Sequence, residues 1–332
     1  MNQRSPSRDA IRADGLTRIY GNDTPALLET SFTVGAGEIF GYLGPNGAGK
    51  STTIKILTTL AKPDCGTAQI MGIDVVQDPQ AIRRIIGVVA QRSGSDPAAT
   101  GRENLTLQGQ LHKLNPRSLD RRVSELLDRF ELSDAADRLV KTYSGGMSRK
   151  LDIAMGLIHQ PAVLFLDEPT TGLDPESRRQ MWRDVASLAR DEGVTVFLTT
   201  HYLEEADHLA DRIAIIDRGQ IVVEGSPDQL KAELDGDAIH VEMTSEASAI
   251  AAQELLSGID GFGEIQVENR TLHARVSNGR SSIPAVFSAL DSAELSVAAV
   301  TLSRPSLDDV YLRYAGRSFQ AGATVQAEQE ES

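Results

Sequence analysis

Ile39-Phe40-Gly41-Tyr42-Leu43-Gly44-Pro45-Asn46-Gly47-Ala48-Gly49-Lys50-Ser51-Thr52 joins an apolar run of strand character to a glycine-rich turn that fits G-x-x-x-x-G-K-[ST]. The following Thr53-Ile54-Lys55-Ile56-Leu57-Thr58-Thr59-Leu60 continues with helical character. A turn of this kind between strand and helix points successive backbone N–H groups at phosphate oxygens, and the helix N-terminus adds partial positive charge. In such a loop Lys50 reaches the β- and γ-phosphates, and Ser51 supplies a hydroxyl to Mg²⁺. The segment reads as a nucleotide-triphosphate site.

Outward from this loop, near-continuous apolar runs recur at Ile85–Val89, Ala162–Leu166, Val194–Leu198 and Ile213–Ile216. Runs of this kind suit strands buried on both faces by helices. Alternating with helical stretches from Ile11 to about Leu234, they predict an α/β nucleotide-binding domain over residues 11–234. Between Gln91 and Tyr143 the strand signal gives way to helical spacing, with Leu119, Val123, Leu126, Leu127 and Phe130 three and four residues apart. A helical subdomain inserted over about residues 92–145 is expected.

Two further segments carry chemistry. The run Ala162–Leu166 ends in Asp167-Glu168-Pro169. Asp167, at a strand end beside the phosphate loop, can hold Mg²⁺ directly or through water. Glu168, one residue further, can orient or deprotonate an attacking water. Upstream, Ser144-Gly145-Gly146 opens a helical stretch and forms a second anion-binding N-terminus. A monomer has no obvious use for two phosphate sites and one catalytic carboxylate. Two copies packed head to tail do, each closing the other's nucleotide.

Composition narrows the partners. The chain has 332 residues and a formal charge of −14, with 14 acidic against 6 basic residues from Asp237 onward. It shows no basic stripe of the sort nucleic acid requires, so no nucleic-acid partner is expected. No run approaches the 18 or so apolar residues of a membrane helix, so direct insertion is not expected. The N-terminus lacks an apolar signal region, and the lone Cys65 fits a reducing cytoplasm.

In this order the motifs resemble those of an ATP-binding-cassette (ABC) ATPase, over roughly Ile11 to Leu234. The resemblance implies a P-loop NTPase domain with an inserted helical subdomain, ATP and Mg²⁺ as cofactors, and ATP hydrolysis coupled to transport. It implies that Tyr20 stacks on adenine and that Gln91 touches Mg²⁺ and senses the transmembrane partner. Asp174, in Gly172-Leu173-Asp174-Pro175, then lies on the loop crossing the dimer interface, and His201 contacts the γ-phosphate. The signature reads Tyr143-Ser144-Gly145-Gly146-Met147 where Leu-Ser-Gly-Gly-Gln is commoner, and it keeps the serine and both glycines that touch phosphate. Catalysis then falls to Glu168 and His201, and metal binding to Ser51, Gln91 and Asp167.

That signature, the stretch Thr199–Asp207 and the closing Arg304–Leu312 resemble ATP-binding subunits of daunorubicin/doxorubicin-resistance type exporters. This implies efflux of a drug or other hydrophobic compound through a separate membrane permease. The chain would pair with a second such subunit, as a homodimer, on the cytoplasmic face of the cell membrane. Gln91 and Thr100–Leu114 are the expected docking surface. Related exporters carry lipids and polyketides, so endogenous cargo is the alternative. A soluble ABC ATPase acting on ribosomes or DNA is the rival class; the single cassette, the lack of a heptad insert and the acidic balance weigh against it.

The remainder predicts a small domain over residues 237–318. Strands at Ile239–Met243, Glu264–Glu268, Leu272–Val276 and Val297–Leu302 alternate with helices at Ala247–Ser257 and Ile283–Leu290. That β-α-β-β-α-β order is ferredoxin-like. An amphipathic helix from Ser306 to Tyr314 follows, with Ser306 as N-cap. No catalytic cluster is expected there. Residues 1–10 and the acidic tail 319–332 are expected to be flexible.

Overall fold

The computed structural model describes residues 9–21, 24–234, 236–259, 262–276, 279–293 and 295–316. The expected acidic tail lies outside them. Of the N-terminal segment expected to be flexible, Asp9 and Ala10 belong instead to the first strand, where Ala10 and Ile11 are fully buried. The chain divides into two compact units between Glu224 and Gly225. That is earlier than the expected boundary at 234, because the short helix Pro227–Ala232 packs within the C-terminal unit.

Along the first unit come β1 (Asp9–Tyr20), β2 (Thr24–Gly35), β3 (Ile39–Leu43), α1 (Lys50–Leu57), β4 (Cys65–Ile70), β5 (Ile73–Asp74), α2 (Pro79–Ile85) and β6 (Ile86–Val89). Then follow α3 (Gly101–Leu111), α4 (Pro116–Arg129), α5 (Gly145–Leu157), β7 (Val163–Asp167), α6 (Pro175–Glu192), β8 (Thr195–Thr200), α7 (Leu203–Leu209), β9 (Arg212–Asp217) and β10 (Gln220–Gly225). Six strands form one sheet in the order β10-β9-β3-β8-β7-β6, with parallel pairing from β9 to β6. Its central strands are apolar and buried because helices and a second sheet cover its two faces.

The second sheet has the order β2-β1-β4-β5 and is antiparallel. It was not anticipated from the sequence. Several register shifts along β1 and β2 break the two-residue alternation that would announce a half-buried strand. Phe32 of β2 meets Phe40, Tyr42 and Phe197 of the larger sheet, with ring centroids 5.5–5.8 Å apart. This aromatic layer fixes the spacing between the sheets.

The second unit contains α8 (Pro227–Ala232), β11 (Asp237–Met243), α9 (Glu246–Leu256), β12 (Phe262–Glu268), β13 (Thr271–Val276), α10 (Gly279–Ser292), β14 (Val297–Ser303) and α11 (Leu307–Ala315). Its sheet runs β12-β13-β11-β14, antiparallel throughout. This is the ferredoxin-like arrangement. Ile239, Val241 and Met243 alternate onto the face covered by Ala249, Ala252 and Leu256 of α9 and by Val286 and Leu290 of α10. His240 and His273 fall on the opposite face, while β12 and β14 are the edges. Ser306 caps α11 in a reciprocal capping box with Asp309.

Candidate functional site

β3 is buried along its whole length and delivers the chain into Gly44. The loop that follows is too tight for side chains at two points. A Cβ on Gly44 would lie 2.4 Å from the Ile216 carbonyl oxygen, and one on Gly49 would lie 2.5 Å from that of Ala26. Gly49 (φ 113°) is the N-cap of α1 and offers no side-chain acceptor to the first N–H groups of that helix. Pro45, Ala48 and Thr52 are buried, whereas Asn46, Gly47 and Ser51 face out.

Lys50 is only 5% exposed. Its Nζ donates to the carbonyls of Gly44 (2.7 Å) and Pro45 (3.0 Å) and stands 3.4 Å from Glu168 Oε1. Burial lowers its pKa, and Glu168 opposes that shift.

β7 ends at Asp167, whose Oδ1 accepts from Thr199 Oγ1 of β8 at 2.6 Å. Glu168 has φ 47°, the left-handed region that a non-glycine residue seldom adopts. Its N–H donates to the Thr199 carbonyl at 3.1 Å, which holds it in that conformation. Glu168 Oε2 accepts from Gln91 Nε2 (3.1 Å) and Thr171 Oγ1 (3.3 Å), with His201 Nδ1 3.1 Å away. Burial pushes this carboxyl up, but His201 and Lys50 together outweigh it and leave the pKa at about 2. Glu168 is therefore held as an anion near neutral pH. Lys50, Gln91 and His201, distant in sequence, converge on its carboxylate.

The signature residues lie elsewhere on the surface. Ser144 is the N-cap of α5 and accepts from the Met147 N–H at 3.2 Å. Asp174 caps α6 by accepting from the N–H groups of Glu176 (3.1 Å) and Ser177 (3.0 Å); hydrogen bonding from Ser177, its side chain foremost, lowers the Asp174 pKa. Gly146 faces Ser177 so closely that a Cβ would lie 2.9 Å from Ser177 Oγ, while Gly145 is less crowded. Ser144, Gly146, Met147 and Asp174 line a groove of about 560 Å³, to which no residue of 44–52 contributes. Within one chain, then, the loop and the signature form separate surfaces.

Comparison with known proteins places this geometry. Residues 27–171 match the ABC transporter family, and residues 225–315 match the C-terminal domain of DrrA1-3-like ATP-binding proteins. The daunorubicin/doxorubicin resistance ATP-binding protein DrrA of Streptomyces peucetius is 44% identical over 327 residues, covering 98% of each chain. This chain belongs to the ABC transporter ATP-binding proteins. The Nod factor export ATP-binding protein I of Sinorhizobium fredii is 39% identical over 324 residues, 96% of this chain and 89% of that one. Among solved structures, the dimeric post-hydrolysis ATP-binding cassette MJ0796 with ADP and Pi superposes with a TM-score of 0.60 at 27% identity, over 65% of this chain and 98% of that one.

As an ABC ATPase the chain binds ATP, and the loop geometry fits: glycine where a Cβ would collide, a buried lysine, and a helix start whose N-cap offers no side-chain acceptor. ATP-binding subunits of this family dimerise and pair with membrane permeases. Among the described residues no helix is long and apolar enough to cross a membrane. Tyr20, at the end of β1, is 39% exposed, with the Arg18 guanidinium 4.8 Å from its ring centroid. Arg18 is itself anchored by Asp64 at 2.6 Å.

Two buried charged residues escaped the sequence reading. Arg149 of α5 donates to the carbonyls of Ala90 (2.6 Å), Asp167 (3.1 Å) and Pro169 (2.8 Å). It thereby fixes the residue before Gln91 and both neighbours of Glu168. Its place five residues after Ser144 was the available signal, but nothing in the sequence tells a buried arginine from a surface one. Glu205 of α7 is fully buried, accepts from Trp182 Nε1 at 3.2 Å, and has its pKa raised by that burial.

Proposed function

We propose that this chain hydrolyses ATP to drive export of a drug or other hydrophobic compound through a separate permease, working as a homodimer on the cytoplasmic face of the membrane. The observation that carries the reading is the convergence of Lys50, Gln91 and His201 on the ionised Glu168. Each subunit holds ATP on residues 44–52 with Lys50 on its phosphates, and Tyr20 meets the adenine. The γ-phosphate then draws in Ser144-Gly145-Gly146 of the partner subunit, and Asp174 lines the same interface. Glu168 orients the attacking water and takes its proton, while His201 steadies the γ-phosphate.

Ser51, Asp167 and Gln91 are an all-oxygen donor set that suits Mg²⁺, which supplies charge neutralisation to the phosphates. Loss of the γ-phosphate removes the contacts that hold the dimer shut, and the clamp opens.

The docking face for the permease is Gln91 with the segment Thr100–Leu114. Leu107 and Leu111 of α3 are 55% and 69% exposed, which supports contact with another chain. The drug reading follows the relative from S. peucetius, the more similar of the two by identity. The S. fredii relative, named for Nod factor export, keeps endogenous cargo as the second reading.

Inside-out vesicles holding this chain and its permease test the proposal. They should accumulate doxorubicin on addition of ATP and lose that uptake with Glu168→Gln. ATP hydrolysis without doxorubicin uptake would remove the drug reading. Absence of hydrolysis would remove the whole proposal.

A further inference from the structure

We infer that the C-terminal unit carries a transition-metal site formed by His240, His273 and Asp309, with Zn²⁺ the ion that fits best. The sequence offered no cluster in this domain, because its members are scattered over the chain. Antiparallel pairing of β11 with β13 sets His240 directly opposite His273. Their Nδ1 atoms are 3.0 Å apart. Two imidazole nitrogens bound to one tetrahedral ion at ~2.0–2.1 Å lie roughly 3.3 Å apart, so little movement separates the pair from a chelate. One donor atom from each of His240, His273 and Asp309 lies within 4.8 Å of the others.

The surroundings orient these groups before any ion arrives. Asp309 is only 7% exposed in its side chain. Its Oδ2 accepts from the N–H (2.8 Å) and Oγ (2.7 Å) of Ser306, which fixes the carboxylate, and its Oδ1 lies 3.9 Å from His240 Nε2, the ring nitrogen that does not pair with His273. Ser303 Oγ lies 3.2 Å from His240 Nε2 and steadies that ring. Outer contacts of this sort commonly orient metal ligands. Beside His273 and Asp309 opens a cavity of about 280 Å³, which gives an entry path and room for a water or an anion as fourth ligand.

Two half-buried imidazoles and a buried carboxylate favour a borderline ion over Mg²⁺, which prefers oxygen donors. The opposing feature is Arg275, whose guanidinium nitrogen lies 4.0 Å from Asp309 Oδ2. Its charge repels a cation, so its removal should tighten metal binding. An anion site built on the same residues would respond in the opposite sense.

The experiment uses the full chain, free of nucleotide, titrated with Zn²⁺ and with Co²⁺ as a spectroscopic stand-in. The wild type should bind one Zn²⁺ per chain and show the intense visible bands of four-coordinate Co²⁺. His273→Gln and His240→Gln should each lower Zn²⁺ affinity about 100-fold, and Ser303→Ala about 10-fold. Arg275→Gln should raise it. ATP affinity, measured on the same variants, should be unchanged and reports that the chain is folded. Unaltered zinc stoichiometry and affinity in the two histidine variants would overturn the site. Weaker binding in Arg275→Gln would overturn it in favour of an anion pocket.

Discussion

Glu168 combines a left-handed backbone, a side chain only 10% exposed and a pKa of about 2. Replacing it with Gln keeps its shape and removes the proposed base. Hydrolysis should fall by about 10²–10⁴-fold while ATP still binds, and gel filtration with Mg²⁺–ATP should show a persistent dimer. Wild-type hydrolysis in that variant would exclude Glu168 as the catalytic carboxylate. Linkage gives a second readout. The folded pKa lies below the ordinary 4.5, so the ionised group stabilises the fold above about pH 4.5. That contribution is lost as the pH falls towards 2, and acid unfolding of Glu168→Gln should lack it. Glu205 behaves in the reverse sense. Burial raises its pKa, so the folded chain binds the extra proton and stability falls as the pH rises above 4.5. Glu205→Gln should therefore gain in Tm relative to wild type as the pH rises above 4.5. A gain that shrinks with pH would contradict this account.

Helix α5 does more than present Ser144. Through Arg149 it binds the ends of β6 and β7, so the signature and the carboxylate share one rigid support. Arg149→Lys can satisfy only part of this arrangement, and each buried carbonyl left without a donor costs about 1–3 kcal/mol. The variant should melt earlier and lose kcat more than ATP affinity; equal loss of both would mean that Arg149 only stabilises the fold. The sequence revealed the parallel strands and the phosphate loop because continuous apolar runs and glycine spacing are local signals. β7 and β8 could be read in this way, with Asp167, Glu168 and His201 at or just beyond their ends. The antiparallel β1–β2 pair could not, because its bulges disturb the alternation. Arg149 and Glu205 were hidden for another reason: their partners are backbone carbonyls and a tryptophan on other elements. The ferredoxin-like order was legible from the alternation in β11 and β13, whereas the meeting of His240 with His273 depends on register, which the sequence does not state.

On the proposed clamp, the separation of loop and signature within one chain makes function a property of two. Ser144→Arg should leave nucleotide binding intact and abolish hydrolysis, because bulk and charge then occupy the place of the partner's γ-phosphate. Lys50→Ala should instead weaken binding itself, by removing a charge that faces the phosphates. A mixture of the two variants should recover hydrolysis at about one site per mixed dimer. No recovery, with mixed dimers verified by differential tagging, would count against the shared site. A different kind of association follows from the C-terminal sheet. Its edge strand β14 reads Val-Ala-Ala-Val-Thr-Leu-Ser, without a charge, and Ala298 and Ala299 are exposed. Natural sheets commonly protect such edges with lysine, proline or a bulge; β14 has a register shift at Ala298 but neither lysine nor proline. In concentrated solution this uncharged edge is expected to nucleate aggregation. Ala298→Lys should delay the onset of turbidity without changing ATPase activity, and an unchanged onset would place the weak point elsewhere. The shelf life of the purified protein would then depend on one edge strand that supplies no residue of the ATP site.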